Sequence, residues 1–215
     1  TVFVSGHSYS SPGFSTRTSI IDVHNGRIVA ADLEAFAVVK DDQPFKAADF
    51  NFWGVTFTPD SKGFYATLQT EGRQWLVQGD IAQQRMTVIV PNVECPSLSP
   101  DGQRVAFKRR MTPPPQGRLV WQLVVRELAS GKETVLARET RNVDDQVEWV
   151  DDREIAYSLP DDTVPAATHS GRRTKIRGKN ASQIAASDMK SSGRAGSSRI
   201  QNWVSESSSS AGREV

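Results

Sequence analysis

A threefold internal repeat constrains this chain more than any other feature. Asn51 to Asp60, Asn92 to Asp101 and Asn142 to Asp151 each place Asn first, an apolar residue second and Asp tenth. Each then runs into an apolar stretch: Gly63 to Ala66, Arg104 to Phe107 and Glu154 to Tyr157. The Asp residues stand 41 and 50 residues apart. Self-similarity at such a period is the mark of arrays that bury a continuous core only by stacking one unit on the next.

The local chemistry gives the unit a register. Pro59-Asp60-Ser61-Lys62 and Pro100-Asp101-Gly102-Gln103 are tight-turn sequences, in which Pro fixes φ and Asp bonds its own backbone two residues on. Asp151-Asp152-Arg153 makes the corresponding turn without Pro. A second pattern is acid, aliphatic, two variable residues, Gly or Gln, then a base. It occurs at Asp22 to Arg27, Asp80 to Arg85 and Glu127 to Lys132. Asn25-Gly26 and Ser130-Gly131 read as hairpin turns, with Gly supplying positive φ. Two hairpins per period make four antiparallel strands, which is a β-propeller blade. The longer second spacing is absorbed by Arg110 to Gly117, whose prolines suit an exposed loop, and by the stretch before Asn142.

The expected fold is therefore all-β: a partial β-propeller over residues 1–160, with blade pieces at about 1–40, 49–90, 91–137 and 146–159. That is about three blades, where closed rings use about four to eight, so the chain reads as an incomplete ring. Val2-Phe3-Val4 looks like the middle of a strand, which favours a missing start over a removed signal peptide. After Pro160 the pattern stops. Residues 161–215 are rich in Ser, Gly, Arg and Lys and are expected to be disordered or out of frame, with no third or fourth strand for the last blade.

The net charge of +1 gives no electrostatic reason to expect a nucleic acid or an anionic membrane. It conceals a split: 17 basic and 20 acidic residues up to Pro160, then 9 basic and 5 acidic. The run Arg172 to Arg177 reads as solvated basic coil, and Asn180-Ala181-Ser182 as a chance glycosylation triplet. One cysteine, Cys95, excludes an internal disulfide and reads as a small buried residue at a first strand. Trp53, Trp75, Trp121 and Trp149 lie in or beside strands, where aromatics fill the space between blades. No run is long and apolar enough for a membrane span.

Chemistry-bearing residues are sparse. Gly6-His7-Ser8-Tyr9-Ser10 has part of a hydrolase elbow, yet position five is Ser and a loop follows. The later histidines are His24 and His169, which do not complete a triad. No zinc spacing or calcium loop is present, and no cofactor is expected. The repeated Asn is open to two readings. Asn51, Asn92 and Asn142, with Asp49, Glu94 and Asp144, can form a polar rim at one channel mouth that receives a peptide or loop of a protein partner. Alternatively, each Asn caps its own turn, since Asn tolerates left-handed backbone.

Leu98 to Phe107 is similar to the central signature of the WD-like repeats of TolB and its relatives. Phe57 to Tyr65 follows it closely and Trp149 to Tyr157 loosely, so the resemblance covers roughly residues 1–160. TolB proteins are periplasmic six-bladed propellers with a helical amino-terminal domain, which bind partners of the cell-envelope Tol–Pal system. That helical domain has no counterpart in this sequence. The resemblance thus implies a TolB-like, non-catalytic protein–protein interaction module, periplasmic or otherwise extracytoplasmic. The same repeats occur in propeller domains of prolyl-oligopeptidase-type serine peptidases, which is the alternative, with the catalytic domain outside this chain.

Overall fold

The computed structural model describes residues 1–6, 13–112, 120–136, 146–157 and 177–180. The strands are β1 (Val2–Ser5), β2 (Ser15–Arg17), β3 (Ile20–Ile21), β4 (Ile28–Ala30), β5 (Ala37–Lys40) and β6 (Gln43–Phe45). They continue as β7 (Asn51–Phe57), β8 (Gly63–Thr70), β9 (Arg73–Asp80), β10 (Arg85–Pro91), β11 (Glu94–Leu98) and β12 (Arg104–Arg110). The last are β13 (Trp121–Glu127), β14 (Glu133–Val135), β15 (Glu148–Trp149), β16 (Glu154–Tyr157) and β17 (Arg177–Asn180).

The fold is all-β, in tandem antiparallel meanders of the propeller-blade type. β7 to β10 and β11 to β14 each form one in consecutive order. We call these blades II and III. β15, β16 and β17 form the described part of blade IV, and β1 to β4 form blade I. In blade I the third strand breaks at Thr18 and Ser19, so its two halves pair separately, β2 with β1 and β3 with β4.

The turns follow from residue chemistry. In blade II the Thr58 hydroxyl donates to Asp60 Oδ1 (2.6 Å) and accepts the Gly63 N–H (2.9 Å), while Asp60 Oδ1 accepts the Lys62 N–H (3.0 Å). Blade III repeats this unit with Ser99, Asp101, Gln103 and Arg104 at 2.5, 2.9 and 3.0 Å. In blade IV the hydroxyl position is Trp149, and the Asp151 carboxylate takes both N–H groups itself, from Arg153 and Glu154. In the other hairpin, Gly26, Gln84 and Gly131 all have positive φ (70°, 49° and 70°). Gln thus adopts a conformation that Gly takes without a Cβ penalty.

Strand alternation decides which side chains fill which interface. Phe64, Ala66, Leu68 and Val77 of blade II point towards blade I, where they meet Ile20, Ala30, Leu33 and Phe36. Their neighbours Tyr65 and Leu76 point the other way, onto Val93, Val105, Phe107 and Val124 of blade III. Ala106, Leu123 and Val125 then face blade IV and pack on Val147, Ile155 and Tyr157. Every described blade interface is thus a period-2 apolar layer.

Two features depart from the sequence expectation. Residues 37–40, expected in the first blade piece, 1–40, do not belong to it. After a 3-10 turn at Leu33–Ala35 the chain crosses to blade II, where β5 pairs parallel with β10 and β6 pairs with β5, giving a six-stranded sheet. Burial of Leu33, Phe36 and Val38 in the blade I–II layer drives the crossing, and the added hairpin covers the outer edge of β10. The second departure is β17, which pairs antiparallel with β16 although no third strand was expected there. The rest of 161–215 lies outside the described residues.

Close packing at one glycine yields a stability test. A Cβ on Gly79 would lie 2.2 Å from Phe64 Cζ, and the Phe64 ring is fully buried. Gly79→Ala is expected to cost about 2–3 kcal/mol through overpacking, measured by urea unfolding.

Candidate functional site: the blade seams and two inner-edge grooves

The first strands β7 and β11 are edge strands of their sheets, yet they lie side by side, with β15 beyond β11. They belong to different sheets and do not share a backbone ladder. Side chains bridge the neighbouring blades instead. Thr16 and Thr18 hydroxyls both donate to the Phe52 carbonyl of β7 (3.0 and 2.5 Å). Thr56 Oγ1 accepts the Leu98 N–H (3.1 Å), and Thr67 Oγ1 accepts the Cys95 N–H (2.9 Å). Trp149 Nε1 donates to the Ser97 carbonyl (2.9 Å), and the Gln146 side-chain amide donates to the Pro96 carbonyl. Each seam thus satisfies buried backbone groups that a fan of separate sheets would otherwise leave unpaired.

Asn51, at the start of β7, is part of this system and is only 7% exposed. Its Oδ1 accepts the Thr16 N–H (2.8 Å), and its Nδ2 donates to the Phe14 carbonyl (3.3 Å). One side-chain amide therefore takes the two groups that a neighbouring strand would take along the free edge of β2. Asn92, at the corresponding place, is exposed with φ 58°, and its own N–H donates to the Gln74 carbonyl. The equivalent asparagines are thus used differently. Asn142 and Asp144 lie outside the described residues, as do His7, Ser8 and His169.

The fourth position of the repeat is a bulge in blades II and III. Gly54 (φ 62°) and Cys95 (φ 51°) occupy it, and the pairing register shifts there in both blades. A Cβ at Gly54 would stand 3.0 Å from Cys95 Cα, so the bulges pass each other at the seam. Cys95 is buried, as expected, but in left-handed backbone, which the sequence did not reveal.

At the strand-start end, Asp49 and Asn51 border a cleft of about 530 Å³ between blades I and II. Asp32, Glu34, Arg17 and Gln69 complete its polar wall. Asp49 accepts the Thr70 hydroxyl (2.5 Å) and the Glu71 N–H (2.7 Å), and these bonds hold its carboxyl below the usual range. Burial, then the neighbouring Asp32 charge, pushes Glu34 up against the opposing pull of Arg17. Arg17 pairs with Asp32 at 3.5 Å. At the turn end, a groove of about 340 Å³ is lined by Phe57, Pro59, Leu98, Pro100, Glu148 and Trp149, with two serines.

Glu94 of the expected rim is also buried. It pairs with Lys108 (3.5 Å), its opposite number across the β11–β12 ladder, and the Lys108 ammonium stands 5.3 Å from the Trp121 ring. On the outer part of blade III, Glu133 receives both Arg109 guanidinium nitrogens (2.5 and 2.9 Å) and Arg126 (3.1 Å). The Arg109 bonds, chiefly, hold its carboxyl below the ordinary glutamate range, against a smaller effect of burial. His24 sits in the exposed β3–β4 turn. Among the described residues no three His, Cys, Asp or Glu are grouped to hold a metal, and no helix is long and apolar enough to cross a membrane.

Sequence reasoning placed Asn51 and Asp49 at the start of a first strand but missed Arg17, Asp32, Glu34 and Gln69, which come from other strands and loops. It also missed the seam threonines, whose alternation at 16 and 18 looks like ordinary strand composition.

No family model and no curated protein sequence matches the chain. Among solved structures it is similar to the β-propeller domain of the Trilobed protease from Pyrococcus furiosus (16% identity, TM-score 0.46, covering 63% of this chain and 40% of that one). It is also similar to a putative TolB from Agrobacterium tumefaciens (14%, TM-score 0.44, 63% and 47%). A third is an acylaminoacyl peptidase from Pyrococcus horikoshii (16%, TM-score 0.46, 63% and 24%). The chain spans less than half the length of each.

Two substitutions test these contacts. Asn51→Leu leaves the Thr16 N–H and the Phe14 carbonyl without partners and is expected to cost about 2–3 kcal/mol, read by chemical denaturation. Glu133→Gln is expected to cost about 1 kcal/mol at neutral pH, after allowance for solvent screening. Because the folded carboxyl titrates low, its contribution is present above the unfolded-state value and fades as pH falls through the folded one. The stability gap between wild type and variant should therefore narrow on acidification; a gap constant with pH would assign the effect to packing.

Proposed function

We propose that the chain is part of a non-catalytic, TolB-like propeller module that acts by protein–protein contact in the bacterial cell envelope. One observation carries this reading. Side-chain bonds lock the described seams, and the grooves open at the two ends of the first strands on that scaffold, where binding groups are held in place without ordering cost. The strand-start cleft is the proposed contact site. The polar rim expected from Asn51, Asn92, Asn142, Asp49, Glu94 and Asp144 enters this reading at the cleft through Asp49, with Asn51 holding the wall in place. The partner is a protein or peptide segment. The module is proposed to work outside the cytoplasm.

A photocrosslinking amino acid at Gln69, on the cleft wall, tests the proposal in cells that make the natural protein. The expected outcome is a discrete crosslink to an envelope protein, absent when the same probe replaces the exposed Lys62. Hydrolysis of N-acylated peptide anilides by the natural protein, blocked by a serine-directed phosphonate, would replace the module with a peptidase propeller.

A further inference from the structure

The turn-end groove has a composition that the repeat itself explains. The seventh position of the repeat is Phe57 in β7, Leu98 in β11 and Glu148 in β15. Because the first strands lie side by side, this position forms a row across blades II, III and IV, and all three residues line the groove. The row runs from aromatic through aliphatic to acidic. Phe57, the last residue of β7, is 46% exposed, whereas Leu98 is buried and forms the floor. Pro59 and Pro100 wall one side, and the indole of Trp149, fixed by its bond to the Ser97 carbonyl, walls the other.

Glu148 is the one charged residue lining the groove, and among the described residues its carboxylate receives no hydrogen bond or ion pair. Arg104, a cation beside the same seam, packs on Trp149 at 5.8 Å and is bonded to Asp101 at 3.1 Å. Elsewhere in the seams the polar groups answer to the protein itself. Asp60, Asp101 and Asp151 close their own turns, and Asp152 accepts the Asp101 N–H. Glu148 is left over.

We infer that this groove binds an arginine or lysine side chain of an extended peptide. The aliphatic stem lies along Phe57 and Leu98 and beside Trp149, and the cationic head meets Glu148. An apolar stem with a positive end matches a row of two apolar residues and one carboxylate. A volume of about 340 Å³ suits one long side chain with its flanking backbone. The aromatic and proline walls give contact area at little conformational cost. The inference rests on the reading of the chain as a peptide- or protein-binding module and names the chemistry that one face of it selects.

The test is fluorescence anisotropy with the full 215-residue chain and a labelled heptapeptide, Gly-Gly-Leu-Arg-Leu-Gly-Gly. Counterparts carry glutamate or norleucine in place of arginine. The arginine peptide is expected to bind on the order of tenfold more tightly than the glutamate peptide, a difference of about 1.4 kcal/mol, with norleucine between them. Glu148→Gln should remove the preference for arginine over norleucine. Phe57→Ala should weaken both of these peptides alike, with an unchanged circular dichroism spectrum. Equal binding of the arginine and glutamate peptides overturns the inference. So does no binding, or a preference that survives Glu148→Gln. A preference abolished by Asp49→Asn in place of Glu148→Gln also overturns it, because the cation site is then the other cleft. A crosslink at Gln69 without peptide binding here would leave the module standing and remove only this site.

Discussion

The fold depends on an accommodation between neighbouring blades. Strands within a blade satisfy one another, but the strands that meet between adjacent blades belong to separate sheets and cannot continue a common ladder. Buried N–H and C=O groups at that meeting would each cost about 1–3 kcal/mol if left alone. Thr16, Thr18, Asn51, Thr56, Thr67, Gln146 and Trp149 supply the missing partners from across each seam. The apolar layers then add non-directional burial behind a set of directional bonds.

This arrangement leaves recognition to the two ends of the first strands. A side chain engaged in a seam is fixed in position but has no free bonding capacity for a ligand. Asn51 and Glu94 are of this kind. What remains for recognition are the groups that the seams leave exposed: the polar wall of the strand-start cleft, and the Phe57–Leu98–Glu148 row at the turn end. The same repeat positions thus serve structure in one blade and offer surface in the next, as Asn51 and Asn92 show.

The strap of residues 31–45 has a related origin. A blade's outermost strand is an open edge, and such edges invite pairing with other chains. Here β5 and β6 occupy the edge of β10, and the aromatic and aliphatic residues leading to them fill the layer between blades I and II. Edge protection and inter-blade burial are therefore achieved by one segment. Pro44 lies on the new outer strand, β6, where a missing N–H is harmless.

The sequence by itself determined the repeat, its turns and its strand alternation, because these rest on local rules. Asp bonding two residues on, Gly or Gln at positive φ, and a period of two are visible along the chain. It also placed Asn51 and Asp49 at the start of a first strand. Tertiary structure alone decided their partners. Residues 35 to 37 positions apart meet at Asn51, and residues 50 to 52 apart meet at Gln146 and Trp149. No local pattern encodes a pairing between strands of different sheets. The crossing of 37–45 to blade II was likewise hidden, since a short apolar run pairs equally well with either blade until packing selects one. The left-handed backbone at Cys95 follows from a bulge that must clear its neighbour at Gly54, a steric fact that exists only once two blades stand together.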